Sequence, residues 1–259
     1  MKTYIRLDLR RMLRDPGTVI FAIIMPLGMY LLFGPLQDYS SEEVAHGNVG
    51  ALIMASMGCY GALLAVTALA AESAHEQGRG WNRQLAMTPM TPGRYIAAKT
   101  IAIQLVAIAP IALVFIAGAL TGARIDGWGW LTSPLLCWIC TLPFSMLGLA
   151  VGMAMRSDSA SNVASFIVVA AAFVGNAFSP LSGGLLKFAH WTPLYGPNLL
   201  ARWPVEGGWI ADGDKIVHDS VWWGIGGVLG WAVVFMALAF LASRRCLLYT
   251  SPSPRDVEE

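Results

Sequence analysis

The sequence predicts an all-α, polytopic membrane protein with six transmembrane helices and an N-terminal interfacial amphipathic helix. Three observations lead there. Of 259 residues, 56% are hydrophobic and only 13% charged, whereas a soluble chain carries about a quarter charged residues to cover its surface. The apolar residues are gathered in long unalternating runs, close to the ~20 residues that a helix needs to cross a bilayer core. Twelve of the sixteen basic residues that precede the C-terminal tail fall on one side of the resulting topology, the bias that marks cytoplasmic flanks. Unpaired backbone groups are too costly in hydrocarbon for open strands, and unalternating runs exclude a closed barrel.

Residues 1–17 form the first element. Ile5, Leu9, Met12 and Leu13 follow the spacing of one helical face, while Arg6 and Arg10 lie off it. A helix with its apolar side in lipid and its arginines at headgroups fits that pattern. Asp15-Pro16-Gly17 ends it. The start is too charged to read as a signal peptide, and the apolar run behind it continues for a full span without a small-x-small cleavage site.

The transmembrane unit then occupies 18–245. Its spans are expected near 18–33 (kinked at Pro26), 48–71, 95–120 (with Lys99 at its inner end and Pro110 within), 131–155 (interrupted by Pro134 and Pro143), 159–178 and 221–241. The basic residues before the first span, between the second and third, and after the fourth and sixth place both termini in the cytoplasm. Lys99 is read as snorkelling to the inner interface. Gln104, Asn162 and Asn176 are the polar exceptions within or beside the spans, suited to bonds between helices. Gly148 and Gly152, and Gly226 and Gly230 joined by Gly224, offer close-packing faces, inside the bundle or between subunits. The outer segment 179–220 carries Trp191, Trp203 and Trp209 as interfacial anchors, and 185–189 reads as a short interfacial helix. The tail, 246–259, reads as non-native or disordered: residues 247–256 resemble translated adapter read-through.

Several function classes lack residues. There is no G-x-x-x-x-G-K-[ST] loop for ATP phosphates, and the four histidines are scattered. Cys137 and Cys140 spell C-x-x-C, but an apolar helix gives neither the access nor the lowered thiol pKa of redox chemistry. A net charge of +1 gives no reason to expect nucleic acid. The spans hold almost no ionisable groups, which weighs against a proton- or sodium-driven carrier. A secondary transporter, or a non-transporting scaffold or immunity protein, is the alternative reading.

The connection 72–94 is the most informative stretch. After Glu72, His75 and Glu76 come Gly78 and Gly80, then Trp81, Arg83, Leu85, Met87, Thr88 and Pro89. Arg79 and Arg83 would flank the apolar Trp81 and Leu85 on a short helix punctuated by glycines before and Thr-Pro after. Such an element suits either a partner's groove or the membrane surface. Glu76, Gly78, Arg83, Leu85, Thr88, Pro89, Tyr95 and Lys99 together resemble the coupling region of ABC-2-type transporter permeases, the transmembrane subunits of bacterial ABC exporters. The N-terminal helix and the outer Trp191, Pro193 and Tyr195 extend the likeness over 1–245. His75 beside Glu76, and Gly80-Trp81, depart from the family's usual pattern.

The resemblance implies a permease subunit in the bacterial cell membrane. It would pair with a second permease, as a homo- or heterodimer, and with separate ATP-binding subunits. Glu76, Arg79 and Arg83 would make polar docking contacts to the ATPase, Trp81 and Leu85 apolar ones, Gly78 would precede the docking helix, and Thr88 and Pro89 would set the return into the third span. ATP and Mg²⁺ would be held by the partner, so this chain would not itself be an enzyme. Members of the family export drugs, lipids, polysaccharides and other compounds, so the resemblance does not identify a substrate; a drug-like, lipid or other amphipathic compound is the expectation.

Overall fold

The structure, a computed structural model, describes residues 2–12, 14–76, 92–155, 157, 159–213 and 215–248. Leu13 and the docking residues Gly78, Arg79, Trp81, Arg83, Leu85, Thr88 and Pro89 lie outside these, as does the tail from 249.

The described chain is a helical bundle. Helix α1 is Lys2–Met12 and α2 the single turn Pro16–Thr18; a π-helical stretch, Val19–Ile24, leads into α3, Met25–Phe33. After a short hairpin, β1 (Glu43–Val44) and β2 (Gly47–Asn48), come α4 (Val49–Glu76) and α5 (Pro92–Leu120). Then follow α6 (Gly129–Ile139), α7 (Thr141–Ala154) and α8 (Ala160–Val174). The segment beyond holds α9 (Gly183–Ala189), α10 (Tyr195–Glu206) and a second hairpin, β3 (Trp209–Asp212) with β4 (Lys215–His218). Helix α11, Val221–Leu248, closes the bundle.

Among the described residues, four stretches are long and apolar enough to cross a membrane: Val49–Glu76, Ala97–Leu120, Gly129–Ala154 and Val221–Arg244; Val19–Phe33 and Ala160–Val174 are shorter apolar helices. The chain is a multi-pass, all-α membrane protein. Helix α4 is the most enclosed, packed by α3, α5, α7 and α8, and α11 is the least enclosed. A nearly uniform apolar helix buried on all sides at the centre, with one-sided helices around it, follows from composition: α4 is rich in Ala and Gly and lets neighbours approach.

Glycines set those approaches. A Cβ on Gly148 or Gly152 of α7 would strike the Thr67 or Ala71 carbonyl of α4. The spacing therefore serves packing within the chain. On α11 the glycines divide: Gly224 lies against Leu200 of α10, and Gly227 against Gly196, whereas Cβ atoms on Gly226 and Gly230 would meet open space. Gly224 thus faces away from the Gly226–Gly230 surface.

The prolines act through the bond they remove and the carbonyl they displace four residues back. Pro26 frees the Ala22 carbonyl, and the π-helical turn just before it absorbs the mismatch. Pro143 displaces the carbonyl at 139, and the break between α6 and α7 falls at Cys140, while Pro134 is accommodated inside α6 without a break. Pro110 likewise lies within the continuous α5. Pro26 and Pro110 meet across Gly61, where a Cβ would come within 2.9 Å of Pro26 Cγ and 3.1 Å of Pro110 Cβ.

Two polar side chains of the bundle show how desolvation is offset, one across helices and one locally. Gln104 of α5 donates to Ser145 Oγ at 3.0 Å and accepts from Thr141 Oγ1 at 2.7 Å, joining α5 to α7. Asn176 instead takes a left-handed conformation (φ 59°) after α8, and its Oδ1 accepts the Leu181 N–H at 2.8 Å. Its side chain shapes a turn. Cys59, Cys137 and Cys140 are buried free thiols.

The segment after α8 is more ordered than a set of anchors. Helix α10, with its glycine and prolines, packs against α6, α11 and α4. Trp191 and Trp209 remain exposed, as anchoring requires, but Trp203 stacks edge-on to His218. In α9, Leu186 and Ala189 turn inward and Leu185 and Phe188 outward.

Candidate functional site: a charged junction at the foot of the 77–91 connection

Helix α4 extends past the predicted span end at Ala71 to Glu76, and α5 begins at Pro92, where a missing N–H costs nothing. The connection between them is therefore narrower than 72–94, and Glu72 and Glu76 project from the last helical turn of α4, four residues apart on one face. Helix α1 lies against α5 beside this point.

Among the described residues, four ion pairs knit the three helices. Lys99 Nζ of α5 lies 3.0 Å from Asp8 Oδ1 of α1 and 3.2 Å from Glu76 Oε2 of α4. Arg11 of α1 pairs with Glu76 and, at 3.5 Å, with Glu72. Glu76 is the shared member, held by Lys99 on one oxygen and by Arg11 on the other. The Asp8 and Lys99 side chains are each only 6% exposed. Asp8 Oδ2 is buried without a hydrogen-bond partner among the described residues. Burial excludes water and strengthens each attraction, but it also makes every ion costly unless its partner stays in place. Tyr4 and Tyr95 add an edge-to-face contact at 5.7 Å between α1 and α5, and burial, then the nearby Asp8 carboxylate, pushes the Tyr4 hydroxyl's pKa up.

Two expectations change here. Lys99 does not snorkel outward; it is buried and bound to two carboxylates, because Asp8 reaches it from a helix distant in sequence. The face of α1 formed by Ile5, Leu9 and Met12 turns onto the bundle core instead of out to lipid, while Arg6 and Arg10 are exposed. Among the proposed docking residues, Glu76 alone falls within the described chain.

Asp8 was not named from the sequence, and Arg11 and Glu72 were not assigned to a site. One signal was available. Asp8 sits three residues after Ile5 and four before Met12, so an acidic side chain interrupts the apolar stripe of α1 itself. A charge on the buried face of a helix calls for a buried partner.

At the opposite end, the β1–β2 hairpin is tied to the bundle: His46 N donates to the Val205 carbonyl (2.8 Å), and Asp126 N to that of His46 (2.9 Å). Asn48 caps α4 through its Oδ1, which accepts from Ala51 N at 3.1 Å and Arg124 N at 2.9 Å. His190 Nε2 lies 2.8 Å from Asp219 Oδ2, which Tyr195 also contacts through its hydroxyl. This joins the end of α9 and the start of α10 to Asp219, two residues before α11. Beneath the hairpin lies a cleft of about 910 Å³ between α3, α4 and the 176–216 segment.

A permease-like bundle with a charged junction at a short connection defines a class, and comparison with known proteins gives the family. The family model described as ABC-2 type transporter matches residues 1–197. The chain belongs to that family and is a transport permease. Over 196 residues it is 21% identical to YvfS of Bacillus subtilis (strain 168), a protein carrying the name of a transport permease, covering 73% of this chain and 78% of that protein. The matched range takes in the charged junction and ends within α10, before α11.

Proposed function

We propose that this chain is the transmembrane subunit of an ATP-driven exporter in the bacterial cell membrane, moving a drug-like, lipid or other amphipathic compound. It works with a separate ATP-binding subunit, which holds ATP and Mg²⁺ and performs hydrolysis, and with a second permease. Both termini lie in the cytoplasm. The observation that carries this reading is the position of Glu76. It is clamped to α1 and α5 at the point where residues 77–91 leave α4, so a displacement of that connection by a docked partner passes into three helices at once.

Six crossings complete the topology, with Val19–Phe33 and Ala160–Val174 added to the four longer helices. Each has 15 residues and reaches roughly 22 Å at ~1.5 Å per residue, against a hydrocarbon core of about 30 Å. The preceding turn α2 and the 175–178 stretch supply the remainder. Helix α1 then lies at the headgroup level, with Arg6 and Arg10 outward and its apolar face on α5. The connection after Glu76 docks on the ATPase through Arg79, Trp81, Arg83 and Leu85.

The test is co-purification of the chain in mild detergent with the ATP-binding protein encoded beside it, with ATPase and transport assays. A stoichiometric partner is expected, and Leu85→Asp or Arg83→Glu is expected to uncouple hydrolysis from transport in inserted protein. Full coupling in both variants, or a folded chain that binds no ATP-binding subunit, sinks the assignment.

A further inference from the structure

The cleft at the end opposite the charged junction has walls of two kinds. Phe33 of α3, Leu52 and Ile53 of α4, Phe178, and Trp209 and Ile216 of the second hairpin make an apolar and aromatic lining. Around it stand Glu42 and Glu43, at the first hairpin, and Glu206 at the end of α10. Neither Glu42 nor Glu43 makes an ion pair among the described residues, and both are exposed.

Glu206 is different. It is 2% exposed, its Oε2 is held by Arg202 Nη2 at 2.7 Å, and its Oε1 is buried without a partner among the described residues. Arg202 is the one basic residue of the wall among the described residues, and this pair occupies it. The bond from His46 N to the Val205 carbonyl brings the acidic hairpin to the end of α10 that carries Glu206. A carboxylate surplus thus borders an apolar chamber.

The chamber also runs deep. Ser56 and Met57 line it, seven and eight residues into α4, or ~12 Å along the helix at ~1.5 Å per residue. The volume lies within the ~300–1,000 Å³ that houses drug-sized molecules. Apolar depth, aromatic rings at Phe33, Tyr39 and Trp209, and the exposed carboxylates of Glu42 and Glu43, which make no ion pair among the described residues, suit one chemistry: a bulky apolar body bearing a positive charge.

We propose that this cleft binds amphipathic organic cations, with the apolar body against α4 and the charge toward Glu42 and Glu43. The proposal names a substrate class for the transport reading, and it is tested without ATP or a partner subunit, so the two can fail separately.

The experiment uses the full chain in nanodiscs of phosphatidylcholine, a zwitterionic lipid, with empty nanodiscs subtracted. Equilibrium dialysis measures tetraphenylphosphonium, a permanent lipophilic cation, against tetraphenylborate, an anion of nearly the same shape. Saturable binding of the cation, and none of the anion when each is measured in a separate sample, is expected. Glu42→Gln combined with Glu43→Gln is expected to weaken it roughly fivefold, the scale of two exposed charges. Leu52→Trp, which fills the chamber, is expected to abolish it while the elution profile stays that of the wild type. Equal binding of both ions, no saturable binding, or indifference to both substitutions overturns the proposal. Binding that persists in a chain showing no ATP-dependent transport would keep the cleft and reject the export reading instead.

Discussion

Asp8 and Lys99 stand 91 positions apart in the chain, yet their charged atoms meet at 3.0 Å in a site that hides both side chains. Neither is costly while the other is present. Removing one leaves an ion in a poorly solvated pocket, a loss of about 3–5 kcal/mol in comparable buried pairs, whereas removing both is often nearly neutral. Lys99→Met and Asp8→Leu are therefore each expected to lower the apparent melting temperature of the detergent-solubilised protein. The double variant should fall well short of the sum of the two losses. The shortfall will not be complete, because Glu76 also leans on Lys99. Additive losses would mean that the pair is not coupled in the folded protein.

The two glycine patterns make opposite predictions for the same substitution. In a helix, Gly→Ala usually gains about 0.5–1 kcal/mol. At Gly148 and Gly152 a Cβ would meet backbone carbonyls of α4, which cannot rotate away, and overpacking of this kind costs about 1–3 kcal/mol. Gly148→Ala and Gly152→Ala are expected to destabilise the chain, while Gly226→Ala and Gly230→Ala, with open space around them, leave it unchanged or slightly more stable. Thermal unfolding of the four variants checks the sign. A stabilised Gly148→Ala would contradict the α4–α7 packing.

Glu206 gives a pH dependence. Burial, the largest cause, raises its carboxyl above the ordinary range; Arg202 opposes this and Asp219 adds to it. A carboxyl whose folded pKa exceeds its unfolded value binds more protons when folded. Its contribution to stability is then fully present below the ordinary carboxylate pKa and is lost as pH rises through the raised one. The difference in apparent melting temperature between the wild type and Glu206→Gln should accordingly shift against the wild type as pH rises from acid toward neutral. A difference that does not change with pH would show that the group titrates normally.

What the sequence made legible was whatever depended on one helix at a time. Apolar runs marked the long spans, and the polar, glycine-rich stretch after α4 marked the connection, because membrane insertion is decided segment by segment. The charged junction was hidden since its members come from α1, α4 and α5, and only packing brings Asp8 to Lys99. Helix α10 escaped notice for another reason. Gly196, Pro197 and Pro204 argue against a helix locally, yet Pro197 falls in the first turn, where its missing N–H is harmless, and Gly196 is what lets α10 approach Gly227 of α11. The break at Cys140 was foreseen in cause but displaced in position, because a proline disturbs the turn before itself.

Asn48 concentrates several of these long-range dependencies in one small side chain. Its Oδ1 accepts two backbone N–H groups, one at the start of α4 and one from Arg124, while its Nδ2 donates to the Gly122 carbonyl at 3.0 Å. It is 6% exposed, so water cannot readily replace those bonds. Asn48→Ala removes the helix cap and leaves buried backbone groups unpaired, a loss of about 1–2 kcal/mol for the cap alone with a further penalty for each orphaned group. Asn48→Asp keeps the acceptor, and its charge suits the helix N-terminus, but it loses the donor to Gly122 and sets a carboxylate against that carbonyl. Stability measured by thermal unfolding should run wild type, then Asp, then Ala. Hydrogen exchange at the Ala51 and Arg124 amides should accelerate in the Ala variant and less so in the Asp variant. Protected amides in Asn48→Ala would mean that the α4 end is held by the backbone bonds of His46 to Val205 and Asp126 without help from this residue.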